Sequence, residues 1–158
     1  MKYFAYGSNM NWDDLDKWCV KKGYDPIDPT SITETGVVKG YRLVFNHYSN
    51  SRGGGALNIV KSPADEVCGV LFTLGEEDFK KIKEKEGLAY KPHPINVIWA
   101  DDRVIGAKTF KAKDSRELFP PTDKYLEIVL AGAEHFNLGE KCLEQIKKAA
   151  QQAKTMKS

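Results

Sequence analysis

The chain has 158 residues, a formal net charge of +2, 41% hydrophobic residues and 29% charged residues. This composition is ordinary for a soluble globular protein and predicts one domain over residues 1–158. Lysines are interleaved with acidic residues, as in KKIKEKEG at 80–87, and this argues against a nucleic-acid partner. No apolar run is long enough to span a bilayer, which argues against a membrane partner.

The three cysteines, Cys19, Cys68 and Cys142, lie far apart and form no C-x-x-C pair. Their odd number and spacing argue against a disulfide framework or a structural zinc site, and they favour buried thiols in a reducing compartment. The N-terminal residues lack the basic and apolar regions of a secretory signal. We therefore expect a cytoplasmic protein.

The N-terminal part of the chain is predicted to pass from a strand into a helix. Residues 2–6 have the aromatic and apolar content of a short strand. Leu15, Trp18 and Cys19 then recur at helical spacing, which predicts a helix over 11–22.

A loop and a run of strands are predicted next. Two prolines indicate a loop over 25–31. Three strands are expected after it: 36–46, 56–60 and 66–74. Turns at 49–55 and 61–65 would separate them, and Gly40 indicates a bulge or a bend.

The next segments are predicted as a helix and a hairpin. Residues 73–86 have an acidic stretch that suits the positive end of a helix. Segments 95–100 and 104–110 are predicted to pair as a hairpin around Asp101 and Asp102.

Two helices are predicted to complete the chain. Thr122 follows two prolines and is suited to cap the first of them. The second begins near Glu140 and leads into a polar tail, with Leu143, Ile146 and Ala150 on one face. Strands interspersed with helices predict an α+β fold built on a mixed sheet or a small β-barrel with flanking helices.

Glu86 is the most informative residue for chemistry. It follows Phe79 and Ile82 at helical spacing, so its carboxylate falls on the apolar side of the predicted helix, and the neighbouring lysines mostly occupy the other faces. Burial and the negative helix end would both raise its pKa and suit it to exchange a proton near neutral pH. From spacing alone, the favoured interpretation is a glutamate at the helix end that turns to solvent or pairs with a lysine.

The stretch YGSN, Tyr6 to Asn9, joins the first strand to the first helix. Gly7 permits a positive φ and close backbone approach, while Ser8 and Asn9 can cap a helix. Such a loop presents backbone N–H groups to an anion or to a developing oxyanion. An ordinary strand–turn–helix junction explains the same residues equally well.

Other candidate residues give weaker signals. The glycines at 53–55 lack the lysine and Ser/Thr of a phosphate-binding loop, so a flexible hairpin is expected there. His47, His93 and His135 do not have metal-ligand spacing. Tyr125 is in line with apolar helix positions and is either a core aromatic or a hydroxyl that faces a cleft.

Four segments together resemble the γ-glutamylcyclotransferase family and its broader AIG2-like relatives. They are YFAYGSNM, GGALNIVKSPADEVCGVLF, KEG and FPPTDKYLEIVLAGA, in the order and at the spacings usual in that family. The resemblance implies a mixed α/β fold around a small barrel whose cleft binds a γ-glutamyl group. It implies cyclisation of that group to 5-oxoproline with release of an amino acid or another amine, and it implies no metal or nucleotide cofactor.

The resemblance also implies roles for particular residues. Glu86 matches the family's catalytic glutamate, a general base and then an acid. Residues 6–9 match its substrate loop, and Tyr125 matches a cleft tyrosine. One position departs from the family, because His93 stands where a tyrosine is common, and Tyr90 is a candidate to supply that ring.

The resemblance leaves two alternatives to a γ-glutamyl amino acid cyclotransferase. One is an enzyme for γ-glutamylamines such as an isopeptide remnant on lysine, and the other is a binding module that has lost turnover. Retention of Glu86 with the complete loop favours an enzyme. We expect a small-molecule γ-glutamyl substrate and a monomer or a homodimer.

Overall fold

Strands rich in β-branched and aromatic residues close into a barrel. The structure is a computed structural model, and it describes residues 1–28, 34–99 and 102–156. The strands in these ranges are β1 (Lys2–Ala5), β2 (Glu34–Ser49), β3 (Gly54–Thr73), β4 (Lys91–Trp99) and β5 (Arg103–Lys111). They are ordered β1-β3-β2-β4-β5, and a parallel contact between β1 and β5 closes a barrel whose other pairs are antiparallel. The predicted α+β fold with a small mixed barrel is confirmed.

Helices flank the barrel, and their ends follow local sequence signals. They are α1 (Trp12–Lys22), α2 (Glu76–Glu86), α3 (Asp123–His135) and α4 (Glu140–Thr155). Thr122 caps α3 as predicted, because its hydroxyl accepts a hydrogen bond from the amide of Tyr125. The start predicted for α2 is wrong by three residues, because Thr73 still pairs with Lys2 as the last residue of β3.

β3 is one long strand where two strands and a turn were predicted. Its register against β2 pairs Lys61 with Tyr41 and Glu66 with Lys39. Between these pairs β3 contains more residues than β2. The extra residues form a bulge that does not end the strand. Gly40 lies opposite with a φ of 89°, which confirms the predicted bend.

Two of the predicted turns lie partly outside the described residues. Residues 29–31 of the predicted loop and Asp101 of the predicted hairpin turn fall there. The hairpin itself is confirmed, because β4 and β5 pair from Lys91↔Lys111 to Trp99↔Arg103.

The prediction of three unpaired cysteines is wrong. Cys68 on β3 and Cys142 on α4 form a disulfide with their Cα atoms 5.8 Å apart, and Cys19 is free and buried. The partners are separated by 74 residues, and only the packing of α4 on the barrel brings them together. The cysteine-based argument for a reducing compartment therefore loses its support.

A buried polar cluster holds the segment that leads into α3. Asn58 donates to the side-chain oxygen of Asn46 at 3.0 Å and accepts from the amide of Ala112 at 3.0 Å. Further along, the amide of Gly55 donates to the carbonyl of Pro120 at 2.9 Å. These bonds fix where α3 begins relative to the end of the barrel.

The glycines at 54 and 55 were expected in a flexible hairpin, and the structure shows them in a close-packed strand. A Cβ atom on Gly55 would overlap the backbone carbonyl of Phe119. The reason for glycine at this position is the close approach of two backbones.

No helix within the described ranges is both long and apolar enough to cross a membrane.

We expect Gly55→Ala to lower the free energy of unfolding by at least about 2 kcal/mol, because the added methyl group must push the Phe119 segment away. Gly106→Ala on β5 is the matched control, since nothing lies within 4 Å of a Cβ atom there. Urea denaturation of both variants measures the difference. Equal free energies of unfolding for the two variants would show that residues 119–120 can shift without loss of stability, contrary to this prediction.

Candidate active site

An open cleft lies at the end of the barrel, where the YGSN loop, α1, the last turn of α2 and the first turn of α3 meet. Its volume is about 750 Å³. The walls include Tyr6, Gly7, Ser8, Asn9, Glu86 and Tyr125, the residues singled out from the sequence. Their position in one cleft is a structural finding, and their roles remain predictions.

Glu86 ends α2 with its carboxylate directed into the cleft. Phe79 and Ile82 on the same helix are buried, so the predicted apolar side of α2 does pack inward. Oε1 of Glu86 accepts a hydrogen bond from Nδ2 of Asn9 at 2.8 Å. Burial raises the pKa of Glu86 above its usual 4.5, although the charges of Lys85 and Arg52 and the bond from Asn9 oppose that shift. The carboxylate therefore does not turn out to solvent, the alternative that spacing alone favoured.

The YGSN loop forms a short 3-10 turn over Ser8–Met10. Gly7 has a φ of −122°, so the positive φ considered from the sequence is not used. The expectation that Asn9 caps the helix is wrong, because Asn11 caps α1 by accepting from the amide of Asp14. Asn9 instead turns its side chain into the cleft. The amides of the first residues of such a turn have no partner within it.

Tyr125 lies in the first turn of α3 with its ring buried. Its hydroxyl oxygen accepts from the amide of Leu57 at 3.4 Å, and it would lie 3.6 Å from a Cβ atom placed on Gly7. Burial raises the pKa of Tyr125 to about 12, although the Leu57 amide opposes the shift. The hydroxyl therefore remains protonated at neutral pH and can donate a hydrogen bond into the cleft.

A charged cluster that sequence reasoning missed supports the loop. Arg52 donates to both carboxylate oxygens of Asp14, at 2.9 and 2.7 Å. The ammonium of Lys85 is 3.3 Å from Asp14 and donates to Oδ1 of Asn9 at 2.7 Å. Lys85 had been grouped with the outward-facing lysines of α2, but its side chain is only 9% exposed.

The charges of this cluster balance one another. Burial lowers the pKa of Lys85 even though Asp14 and Glu86 attract its proton. Burial alone would raise the pKa of Asp14, but the hydrogen bond from Arg52 and the charge of Lys85 outweigh it and the pKa is lowered. The three residues come from α1, the β2–β3 turn and α2, so no local pattern in the sequence could have revealed the cluster.

Tyr90, and not His93, lines the described cleft. The hydroxyl of Tyr90 donates to the carbonyl of Leu57 at 2.7 Å, and its ring meets the edge of His47. His93 instead bonds to the hydroxyl of Tyr41 at 3.0 Å. Tyr90 therefore lies in the cleft, and its role in place of a tyrosine at position 93 stays a prediction.

Within the described ranges, no three His, Cys, Asp or Glu side chains converge as ligands for a metal ion. The site contains the Glu86 carboxylate, the Asp14 carboxylate paired with Arg52 and Lys85, a loop with backbone amides, and several hydroxyl groups. Such a set can transfer a proton and stabilise an oxyanion.

Comparison with known proteins agrees with this architecture. The model of the AIG2-like family matches residues 66–146, and the chain belongs to that family. The gamma-glutamylcyclotransferase of Mus musculus is 24% identical over 153 residues, which cover 92% of this chain and 76% of the mouse protein. The Homo sapiens gamma-glutamylcyclotransferase is 25% identical over 162 residues, with the same coverages of 92% and 76%. A solved structure named gamma-glutamyl cyclotransferase shares the fold with a TM-score of 0.77 at 23% identity, covering 92% of this chain and 85% of that one.

Asp14→Asn should lower the free energy of unfolding by about 2 kcal/mol at neutral pH, because Arg52 and Lys85 lose their shared partner. Asp13→Asn is the control, since Asp13 lies in the same helical turn but is exposed. The pKa of Asp14 is lowered, so its stabilisation is present above its ordinary value of 3.8 and is lost as the pH falls through the lowered value. Chemical denaturation over a pH series measures this, and a pH-independent difference between wild type and Asp14→Asn would contradict it.

Glu86→Gln should become more stable relative to wild type as the pH rises. The pKa of Glu86 is raised, so the folded state holds its proton more tightly than the unfolded state, and the stability of wild type falls between pH 4.5 and the raised value. The variant lacks that titration but keeps an oxygen for Asn9. Glu77→Gln at an exposed position of α2 should show no such trend, and thermal unfolding across the pH range compares them.

Proposed function

We propose that this chain is a γ-glutamylcyclotransferase-type enzyme that converts a γ-glutamyl group to 5-oxoproline and releases an amino acid or an amine. The observation that carries the proposal is the Glu86 carboxylate, partly buried in the cleft and hydrogen-bonded to Asn9 of the YGSN loop. The names of the mouse and human relatives support the same reaction class.

Proton transfer in this reaction is assigned to Glu86. The α-amine of the glutamyl group must lose a proton before its nitrogen can attack the γ-carbonyl carbon. A carboxylate with a raised pKa accepts that proton more readily than an ordinary one and returns it to the leaving nitrogen. One C–N bond forms, the original amide C–N bond breaks, and no water is consumed.

The YGSN loop and Tyr125 are assigned to the γ-carbonyl oxygen. That oxygen becomes negatively charged when the ring closes, and backbone amides with a protonated hydroxyl are suitable donors to it. Tyr125 is protonated at neutral pH, as an ordinary tyrosine is, and burial raises its pKa further, to about 12. Since the attack is intramolecular, holding the glutamyl chain in a bent conformation contributes alongside proton transfer.

Asn9 is assigned to orienting the base. Its amide donates to Glu86 and accepts from Lys85, so the carboxylate is held at a defined position relative to the loop. Lys85 and Arg52 also lower the pKa of Glu86 against the effect of burial. The two cations thereby limit the rise of the Glu86 pKa that burial causes.

A panel of γ-glutamyl dipeptides and γ-glutamylamines, with 5-oxoproline as the measured product, tests the proposal. We expect Glu86→Gln to lower kcat/KM by about 10²–10⁴-fold, because the general base is lost while the shape of the cleft is kept. The acidic limb of the pH profile of kcat/KM should disappear in that variant. Glu77→Gln, which neutralises an exposed carboxylate on the same helix, should retain wild-type activity.

Full activity of Glu86→Gln would contradict the role of Glu86 as the general base. If wild type forms no 5-oxoproline from any member of the panel but is stabilised by 5-oxoproline in a thermal-shift assay, the chain is a binding module and not an enzyme.

A further inference from the structure

The cleft contains more positive than negative charge. Its described lining includes six basic residues, Lys17, Lys21, Lys22, Arg52, Lys85 and Lys124. The acidic residues of that lining are Asp14 and Glu86. Both lie deep in the cleft beside Arg52 and Lys85, so the excess of positive charge lies at the mouth.

Of the lysines at the mouth, Lys22 pairs with Glu84 at 3.8 Å, and three others are not neutralised by the described residues. Lys17, Lys21 and Lys124 are exposed, and none forms an ion pair within the described residues. Asp13 and Asp16 share a shallow depression with Lys17 and Lys21 but form no ion pair with them. An anion that enters the cleft would therefore meet free ammonium groups.

The α1 lysines form a stripe that runs outward from the floor of the cleft. Asp14, Lys17, Trp18, Lys21 and Lys22 recur at three- and four-residue spacing and all line the cleft. With a rise of 1.5 Å per residue, Lys21 lies roughly 10 Å along the helix axis from Asp14. Lys21 and Lys22 also lie in the last turn of α1, where cations stabilise a helix, so what points to a ligand is that these lysines line the cleft. Lys124 on α3 adds a cation from a second element.

The cleft has room for more than a glutamyl group. Pockets of roughly 300–1,000 Å³ hold drug-sized ligands, and this cleft has a volume of about 750 Å³. If the glutamyl group lies at Glu86 and the YGSN loop, as the proposed function requires, the leaving group extends toward the mouth. The lysines of the mouth would then contact the leaving group.

We infer that the preferred substrates are γ-glutamyl compounds whose leaving amine bears more than one carboxylate, with γ-glutamylglutamate as the simplest example. This inference rests on the proposed function and names its substrate class. The α-nitrogen attacks the γ-carbonyl carbon and the amide bond to the second glutamate breaks. The proton lost by the attacking nitrogen passes to the leaving nitrogen, giving 5-oxoproline and glutamate.

The preference arises from several weak interactions acting together. A single exposed ion pair contributes little. Lysines from two elements around a concave site produce a summed field that raises the local concentration of an anion and its rate of entry. Such a field is screened by salt, so the preference should be largest at low ionic strength.

The test compares γ-glutamylglutamate with γ-glutamylglutamine, which has nearly the same shape but one carboxylate fewer on the leaving group. We expect kcat/KM to favour the acidic substrate by roughly tenfold at low ionic strength, and the ratio to fall toward one in high salt. The combined variant Lys17→Gln, Lys21→Gln and Lys124→Gln should remove the preference at low salt.

A control variant carries the same change of charge away from the cleft, at Lys39, Lys108 and Lys154, which are exposed and outside its lining. It should retain the preference of wild type, and circular dichroism establishes that both triple variants are folded. If 5-oxoproline is formed but the amide substrate is used equally well or better, the inference is overturned and the proposed function stands. If neither compound nor any other γ-glutamyl compound yields 5-oxoproline, the proposed function fails and the inference with it.

Discussion

The side-chain amide of Asn9 is the contact on which the geometry of the cleft depends. Its Nδ2 donates to Glu86 at 2.8 Å and its Oδ1 accepts from Lys85 at 2.7 Å. An amide can do both at once because it presents a donor and an acceptor, whereas a carboxylate or an ammonium presents only one kind of group. Asn9 lies in the loop that follows the barrel strand β1, so this residue joins the end of α2 to the barrel and sets the position of the carboxylate.

The opposite wall of the cleft depends on close backbone packing. The absence of a side chain at Gly55 lets β3 approach the segment before α3 and donate to the carbonyl of Pro120. The buried Asn58 secures the start of that segment at Ala112. Tyr125, in the first turn of α3, is consequently held beside Leu57 and the YGSN loop. Both walls of the cleft are therefore held in position by hydrogen bonds and packing against the barrel.

Electrostatics divides the cleft into a balanced floor and a positive mouth. On the floor, burial raises the pKa of Glu86 while Lys85 and Arg52 oppose the shift, and Asp14 compensates those two cations. At the mouth, Lys17, Lys21 and Lys124 form no ion pair with the described residues. The first arrangement suits the proton transfer proposed for Glu86, and the second is the basis of the proposed preference for acidic leaving groups.

Local sequence signals were enough to predict most helices and strands and the residues that belong to them. Helical spacing placed Glu86 beside Phe79 and Ile82, Thr122 marked the start of α3, and the motif resemblance indicated the family and the small barrel, because each signal lies within a few residues or in a recognisable order. The bulge in β3 was mistaken for a turn, since a bulge and a turn use the same local residues and differ only in how the partner strand pairs.

Contacts between distant side chains could not be predicted in this way and became visible in the folded structure. Arg52, Asp14 and Lys85 come from three separate elements, and the disulfide joins Cys68 to Cys142 across 74 residues. The same holds for Asn9, which local reasoning assigned to a helix cap and the folded chain turns toward Glu86. These contacts depend on how the helices dock on the barrel, and docking is set by the burial of surfaces from the whole chain, which no short segment of sequence contains.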